Sequence, residues 1–159
     1  MSSDELATLL ERLVEAGVDL VVVGGIAAVC QGAPVTTFDL DVVHRRTQEN
    51  VRRIIDVLGS VRAHYRGRPE LFPSENALLG PGHQLLMTSL GPLDLLGVIG
   101  EGLDYEALLP DTRKVETPVG AVHVLSLARI VVLKRASTHE KDRAMLPFLE
   151  AALARQGDG

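Results

Sequence analysis

A chain of 159 residues with 46% hydrophobic and 23% charged positions has the material for a packed core and argues against a disordered protein. Its formal net charge of −5 excludes a uniformly basic nucleic-acid binder, and 3% aromatics with no Trp argue against a single-strand surface of stacked rings. The lone cysteine, Cys30, rules out an internal disulfide and fits a reducing cytosol.

"SSDELATLLERLVEAGVD" predicts an amphipathic helix. Ser2 or Ser3 can cap it, Asp4 and Glu5 suit its positive end, Gly17 stops it, and Leu6, Leu9, Leu10, Leu13 and Val14 form the buried stripe. This acidic start is unlike a signal peptide, and the longest apolar stretch, Leu20 to Cys30, falls short of the roughly 18 residues a membrane span needs. The expectation is a cytoplasmic protein with no membrane partner.

"DLVVVGG" predicts a short strand ended by Gly24 and Gly25, and "IAAVCQGAP" a brief helix with Cys30 packed inside. "FDLDVVH" is a second strand, and "TQENVRRIIDVLGSV" a second amphipathic helix with Val51, Ile54, Ile55 and Leu58 inward. "RAHYRGRPELFPSENALLGPG" is rich in turn formers and reads as irregular. "HQLLMTSLGPLDLLGVIG" reads as two strands joined at Gly91-Pro92, "DYEALLPD" as a short helix, and "RKVETPVGAVHVLS" as a hairpin turning at Val119-Gly120. "SLARIVVLKRAST" and "HEKDRAMLPFLEAALARQ" are closing helices, the second kinked or restarted at Pro147. This order predicts an α/β (α+β) fold, a mixed central sheet flanked by helices, in a single domain over 1–159.

The chemistry concentrates in "TTFDLDVV", where Asp39 and Asp41 interrupt an apolar run. Alternation along a strand puts both carboxylates on one face, roughly 7 Å apart at the backbone. Their tips can converge on a shared cation, and oxygen ligands are what Mg²⁺ selects. Without a cation, mutual repulsion would push one pKa upward. The other reading is two aspartates facing water from a half-exposed strand. Gly24 and Gly25 either admit a phosphate to the N-terminus of the following helix or simply make a tight turn. Asp94, inside the apolar "GPLDLLGVI", is the candidate third carboxylate, or else an edge aspartate. Phosphate donors beside an acidic metal site are equipment for moving a nucleotide.

"VVVGGIAAVCQGAPVTTFDLDVV" resembles the first motif of the nucleotidyltransferase superfamily, the polymerase-beta-like fold: a glycine pair, a short helix and a D-x-D strand. It is most similar to the branch of small bacterial proteins that includes the AbiEii-like toxins, in which G-x-x-R-x-T-x-D-x-D is common; Gly32, Thr37, Asp39 and Asp41 match. "GPLDLLGVIGEGLDYEALL" resembles that branch's third-carboxylate strand and helix, and "VHVLSLARIVVLKRASTHEKDRAMLPFLEAAL" its tail, where an L-K helix precedes a K-D helix. Val35 stands where the motif commonly has arginine, and Met145 where many relatives carry a second aspartate.

The resemblance implies a nucleotidyltransferase core over about 17–125 and C-terminal helices over about 126–155. It implies that Asp39 and Asp41 hold two Mg²⁺ ions and that Asp94 helps bind the one that activates an acceptor hydroxyl. Gly24 and Gly25 would cradle the β- and γ-phosphates of a nucleoside triphosphate, Thr37 would orient an aspartate or a water, and Lys134 would offset triphosphate charge. The acceptor could be RNA, a protein or a small molecule. The same resemblance implies a cognate toxin or antitoxin partner, or an antitoxin-like module that keeps the fold without turnover.

Between His44 and Arg68 lie seven arginines (45, 46, 52, 53, 62, 66 and 68), either an RNA-facing surface or a solvated helix face. The five histidines show no metal-ligand spacing.

Overall fold

The computed structural model describes residues 3–157. Helix α1 (Ser3–Glu15) precedes strand β1 (Leu20–Val23), helix α2 (Gly24–Cys30), strand β2 (Leu40–His44), helix α3 (Gln48–Ser60) and strand β3 (His64–Tyr65). Then come α4 (Glu75–Leu79), β4 (His83–Thr88), β5 (Gly91–Leu96), α5 (Tyr105–Leu108), a 3-10 turn (Leu109–Asp111), β6 (Thr112–Thr117), β7 (Gly120–Leu125), α6 (Leu127–Ala136) and α7 (Glu140–Gly157). The seven strands form one mixed sheet in the order β3-β4-β5-β2-β1-β7-β6, so the fold is the expected helix-flanked mixed sheet.

In α1 the predicted stripe is inward: Leu6, Leu9, Leu10 and Leu13 are buried and Val14 lies partly against the core. The helix stops where Gly17 takes a φ of +78°, a left-handed turn that glycine adopts without a side-chain clash. The expected cap at Ser2 falls outside the described residues. Helix α3 is capped by Thr47, whose hydroxyl accepts from the Asn50 N–H. Asn50 is itself buried, and its amide accepts from the Asp19 N–H while donating to the carbonyls of Asp19 and Arg45. These bonds tie the start of α3 to the entry of β1.

Helix α1 lies against β5 and β7 and touches α3, whereas α2 packs on β1, β2 and β7 and meets α6. One buried cluster runs through the helices and the central strands from Leu6 to Ala152. The central strands are buried on both faces, as strands between two helical layers must be. All of β1 is buried, and the one residue of β2 that is only partly covered is Asp41.

Several local expectations change. Phe38 and Asp39 precede β2 instead of opening it, and Phe38 is 69% exposed. The segment read as irregular contains β3 and the short helix α4, capped by Ser74. Strand β3 is only two residues long, too short for a pattern of alternation to reveal.

The β4–β5 turn lies at Ser89-Leu90, two residues before the expected Gly91-Pro92. It is closed by Thr88, which donates to the Gly91 carbonyl and accepts from the Leu90 N–H. The β6–β7 hairpin uses the same device, Thr117 to Gly120, with a loop at Pro118-Val119. Gly91 and Gly120 have φ values of +118° and +139°, which side-chain-bearing residues rarely adopt. Helix α7 continues across Pro147 without a restart, and Cys30, expected to be packed, is exposed.

Candidate functional site

Strand register places the carboxylates. Asp41 lies directly opposite Asp94 on the parallel neighbour β5, opposite Val23 on β1, and Asp94 in turn opposite Leu85 on β4. Residues opposed across strands share a face, so Val23, Asp41, Asp94 and Leu85 form one row across the sheet. Asp39, two residues before Asp41, joins the same side. Asp39, Asp41 and Asp94 each bring a carboxylate oxygen within 4.8 Å of the others, the only such acidic, His or Cys cluster among the described residues.

The glycine pair closes around this row. The two glycines are the first residues of α2, not a turn before it, and Gly24 takes a φ of +67°. A Cβ on Gly24 would lie 2.5 Å from Asp41 Oδ2, and one on Gly25 would lie 2.7 Å from the Thr37 side chain. Glycine is therefore required here by side chains already in place, whatever ligand the site holds. The Thr37 hydroxyl donates to the Asp39 carbonyl at 3.2 Å, which fixes the backbone just before the acidic strand.

Burial and like charge together raise Asp41 to about 7. Desolvation is the largest cause, followed by a hydrogen bond to Asp94 and repulsion from Asp94 and Asp39, with Lys134 opposing weakly. Its Oδ1 is buried without a hydrogen-bond partner. A buried carboxylate oxygen with no donor, beside two further carboxylates, is a donor set short of a cation. Carboxylate oxygens are the ligand type that a hard divalent ion such as Mg²⁺ takes.

The row opens into a cleft of about 890 Å³ between the sheet and the C-terminal helices. Gly24 and Asp41 line one side, and Lys134, Ser137, His139 and Asp142 line the other. Lys134 is thus brought to the carboxylates as expected, but it does not stand free. Its Nζ donates to Asp142 Oδ1 at 2.7 Å, and Ser137 Oγ donates to Asp142 Oδ2 at 2.6 Å. Burial, the largest single cause, would raise the Asp142 carboxyl; these two hydrogen bonds together with the charges of Lys134 and His139 outweigh it and hold the carboxyl below the usual range.

The arginine-rich segment does not form an open cationic face. Five of its seven arginines are ion-paired: Arg45 with Asp19 and Glu106, Arg52 with Glu75, Arg53 with Glu49, Arg66 with Asp94, and Arg68 with Glu70. Arg66 is the neighbour of the site that the sequence did not place there. Arg66 was visible only as one of a run, because nothing local marks the cross-strand pairing that aims it at Asp94. His44 is buried, bonded through Nε2 to the Leu78 carbonyl, with its pKa lowered chiefly by burial, so it belongs to the core.

No protein-family model matches the chain, and no curated protein matches it in sequence. Solved structures do. The lincosamide antibiotic adenylyltransferase LnuA, solved with lincomycin bound, superposes with a TM-score of 0.64 at 13% identity, over 96% of this chain and 98% of that one. A proposed nucleotidyltransferase from Thermotoga maritima, TM1012, superposes with a TM-score of 0.54 at 21% identity, over 99% of this chain and 94% of that one. The fold is that of the nucleotidyltransferases. At these identities the likeness is one of architecture.

Proposed function

We propose that this chain is a Mg²⁺-dependent nucleotidyltransferase that moves a nucleoside monophosphate from a nucleoside triphosphate to an acceptor hydroxyl. The observation that carries the reading is the in-register Asp41–Asp94 pair, joined by Asp39, with Asp41 on the wall of a cleft that Gly24 and Lys134 also line. Asp39, Asp41 and Asp94 are the ligands in this reading, and the unpartnered Asp41 Oδ1 is the oxygen most in need of one. Bound divalent ions supply the positive charge that steadies the attacking and leaving oxygens of an in-line displacement.

The chain's own residues arrange the rest. Gly24 and Gly25, with no side chains of their own, present the backbone at the start of α2 to the β- and γ-phosphates. Thr37 holds the Asp39 backbone, and so acts on the first ligand instead of on the nucleotide. Lys134, steered by Asp142, faces the cleft from α6 and offsets triphosphate charge. Asp94 stands on the β4 side of the row and, as the third ligand, would help hold the ion that activates the acceptor hydroxyl.

Incubation with each α-labelled triphosphate in cell extract tests the proposal and identifies what becomes labelled. Transfer with release of pyrophosphate, lost in Asp39→Asn and Asp41→Asn, supports it. A protein that binds neither Mg²⁺ nor any triphosphate overturns it. The first motif's likeness to the AbiEii-like branch extends the proposal to a toxin–antitoxin system acting on RNA, a protein or a small molecule.

One observation favours the competing reading of a non-catalytic, partner-binding module: Lys134 and Asp94 are each already paired within the chain. A tight protein partner that copurifies, with no transfer to any acceptor, would decide for it.

A further inference from the structure

Arg66 follows β3 at the edge of the sheet, yet it reaches the acidic row. Its backbone N–H donates to the Leu85 carbonyl at 3.0 Å. Its Nη2 donates to the Leu86 carbonyl at 3.0 Å and to Asp94 Oδ1 at 2.6 Å. Leu85 is the register partner of Asp94, so these bonds span β4 and end on the third carboxylate. The Arg66 side chain is 36% exposed and that of Asp94 only 14%, so the pair is partly shielded from solvent.

We propose that Arg66 is an internal counter-cation. It neutralises Asp94 while the site holds no ion, opposes capture of a bare divalent cation, and thereby favours an ion that arrives with a triphosphate. The inference rests on the metal-binding reading above. An ion that takes Asp94 must either displace the guanidinium or accept a positive charge beside it, and both weaken binding. A triphosphate brings negative charge of its own and offsets that repulsion, so the opposition falls mainly on the bare ion. A purely structural prop would behave the other way, because losing it would let Asp94 wander and would weaken ion binding.

The test is titration of the nucleotide-free protein with Mn²⁺, followed by calorimetry or by the electron-spin signal of free Mn²⁺. Arg66→Met is expected to bind Mn²⁺ about tenfold tighter than the unmodified chain, equivalent to about 1.4 kcal/mol. Arg66→Lys keeps the charge and is expected to stay within about threefold of it. If Arg66→Met fails to fold, as judged by circular dichroism, Arg66→Gln makes the same comparison. Equal or weaker binding by the neutral variant overturns the proposal, as does an Arg66→Lys variant that binds as tightly as Arg66→Met. Asp41→Asn separates the two levels: if it leaves Mn²⁺ binding unchanged, the metal reading falls and the inference with it. A failure of the Arg66 variants alone sinks only the counter-cation.

Discussion

Two charged clusters face each other across the cleft, and they are built on opposite principles. On the helical side, Lys134, Ser137 and Asp142 satisfy one another: one cation, one anion and a hydroxyl, with bonds of 2.7 and 2.6 Å. On the sheet side, three carboxylates crowd within 4.8 Å with one arginine, Arg66, on Asp94; one oxygen of Asp41 has no partner, and its pKa is driven to about 7. A self-sufficient cluster can be explained by folding alone. Three carboxylates that share one arginine and keep an oxygen unpartnered leave a place for a cation from outside, which is why the acidic row is read as the site and the lysine cluster as its support.

Breaking the sheet-side cluster should have the largest effect. Asp41→Asn or Asp94→Asn is expected to lower nucleotidyl transfer by about a thousandfold, read from labelled product per unit time, while the protein stays folded.

The pH dependence of stability sharpens the contrast. Because Asp41 titrates higher in the fold, about 7 against 3.8, the folded state holds its proton more tightly than the unfolded chain does. In ion-free protein the contribution is therefore present at low pH and is lost as pH rises from about 4 to about 7, by on the order of a few kcal/mol. Urea melts of the unmodified chain and Asp41→Asn should diverge across that window and run parallel above it. Divalent cation should restore the unmodified chain alone. Equal pH profiles for the two proteins would show that the acidic row is not under strain.

Gly24→Ala is the steric version of the same test. The added methyl meets Asp41 Oδ2 at 2.5 Å in a left-handed backbone, so a loss of about 1–2 kcal/mol in melting experiments is expected, with weakened cation binding.

On the helical side the effects should be smaller. Asp142→Asn leaves Lys134 without its anion and should destabilise by about 1 kcal/mol, with a several-fold rise in KM for the triphosphate and little change in kcat. The smallest effect belongs to a pair remote from both clusters. Arg52→Ala removes an exposed bridge to Glu75 and should change stability by less than about 0.5 kcal/mol.

Features that depend on residues close in sequence could be read directly. The α1 and α3 stripes and the spacing of Asp39 from Asp41 are local patterns that the fold keeps, whereas both hairpin turns lie earlier than expected. The glycine pair was legible as a requirement but not as to cause, since the atoms that exclude a side chain are those of Thr37 and Asp41, more than ten residues away. Strand β3 and helix α4 were missed because two residues and five residues carry too little periodicity to register. Phe38, apolar but exposed, shows the limit of reading burial from residue type, because the strand begins two residues later than its alternation suggests.

The sequence alone determined the kind of molecule: helices and strands in an order that builds a mixed sheet, with two acids and two glycines spaced for the proposed nucleotide site. The tertiary structure alone decided which distant charges meet. Parallel pairing of β2 with β5 sets Asp94 against Asp41, pairing of β3 with β4 swings Arg66 onto Asp94, and packing of α6 on α7 hands Lys134 to Asp142. The physical reason is range. Helix and strand patterns are written by neighbours within a few residues, whereas a charge acts on whatever the fold brings within a few ångströms of it.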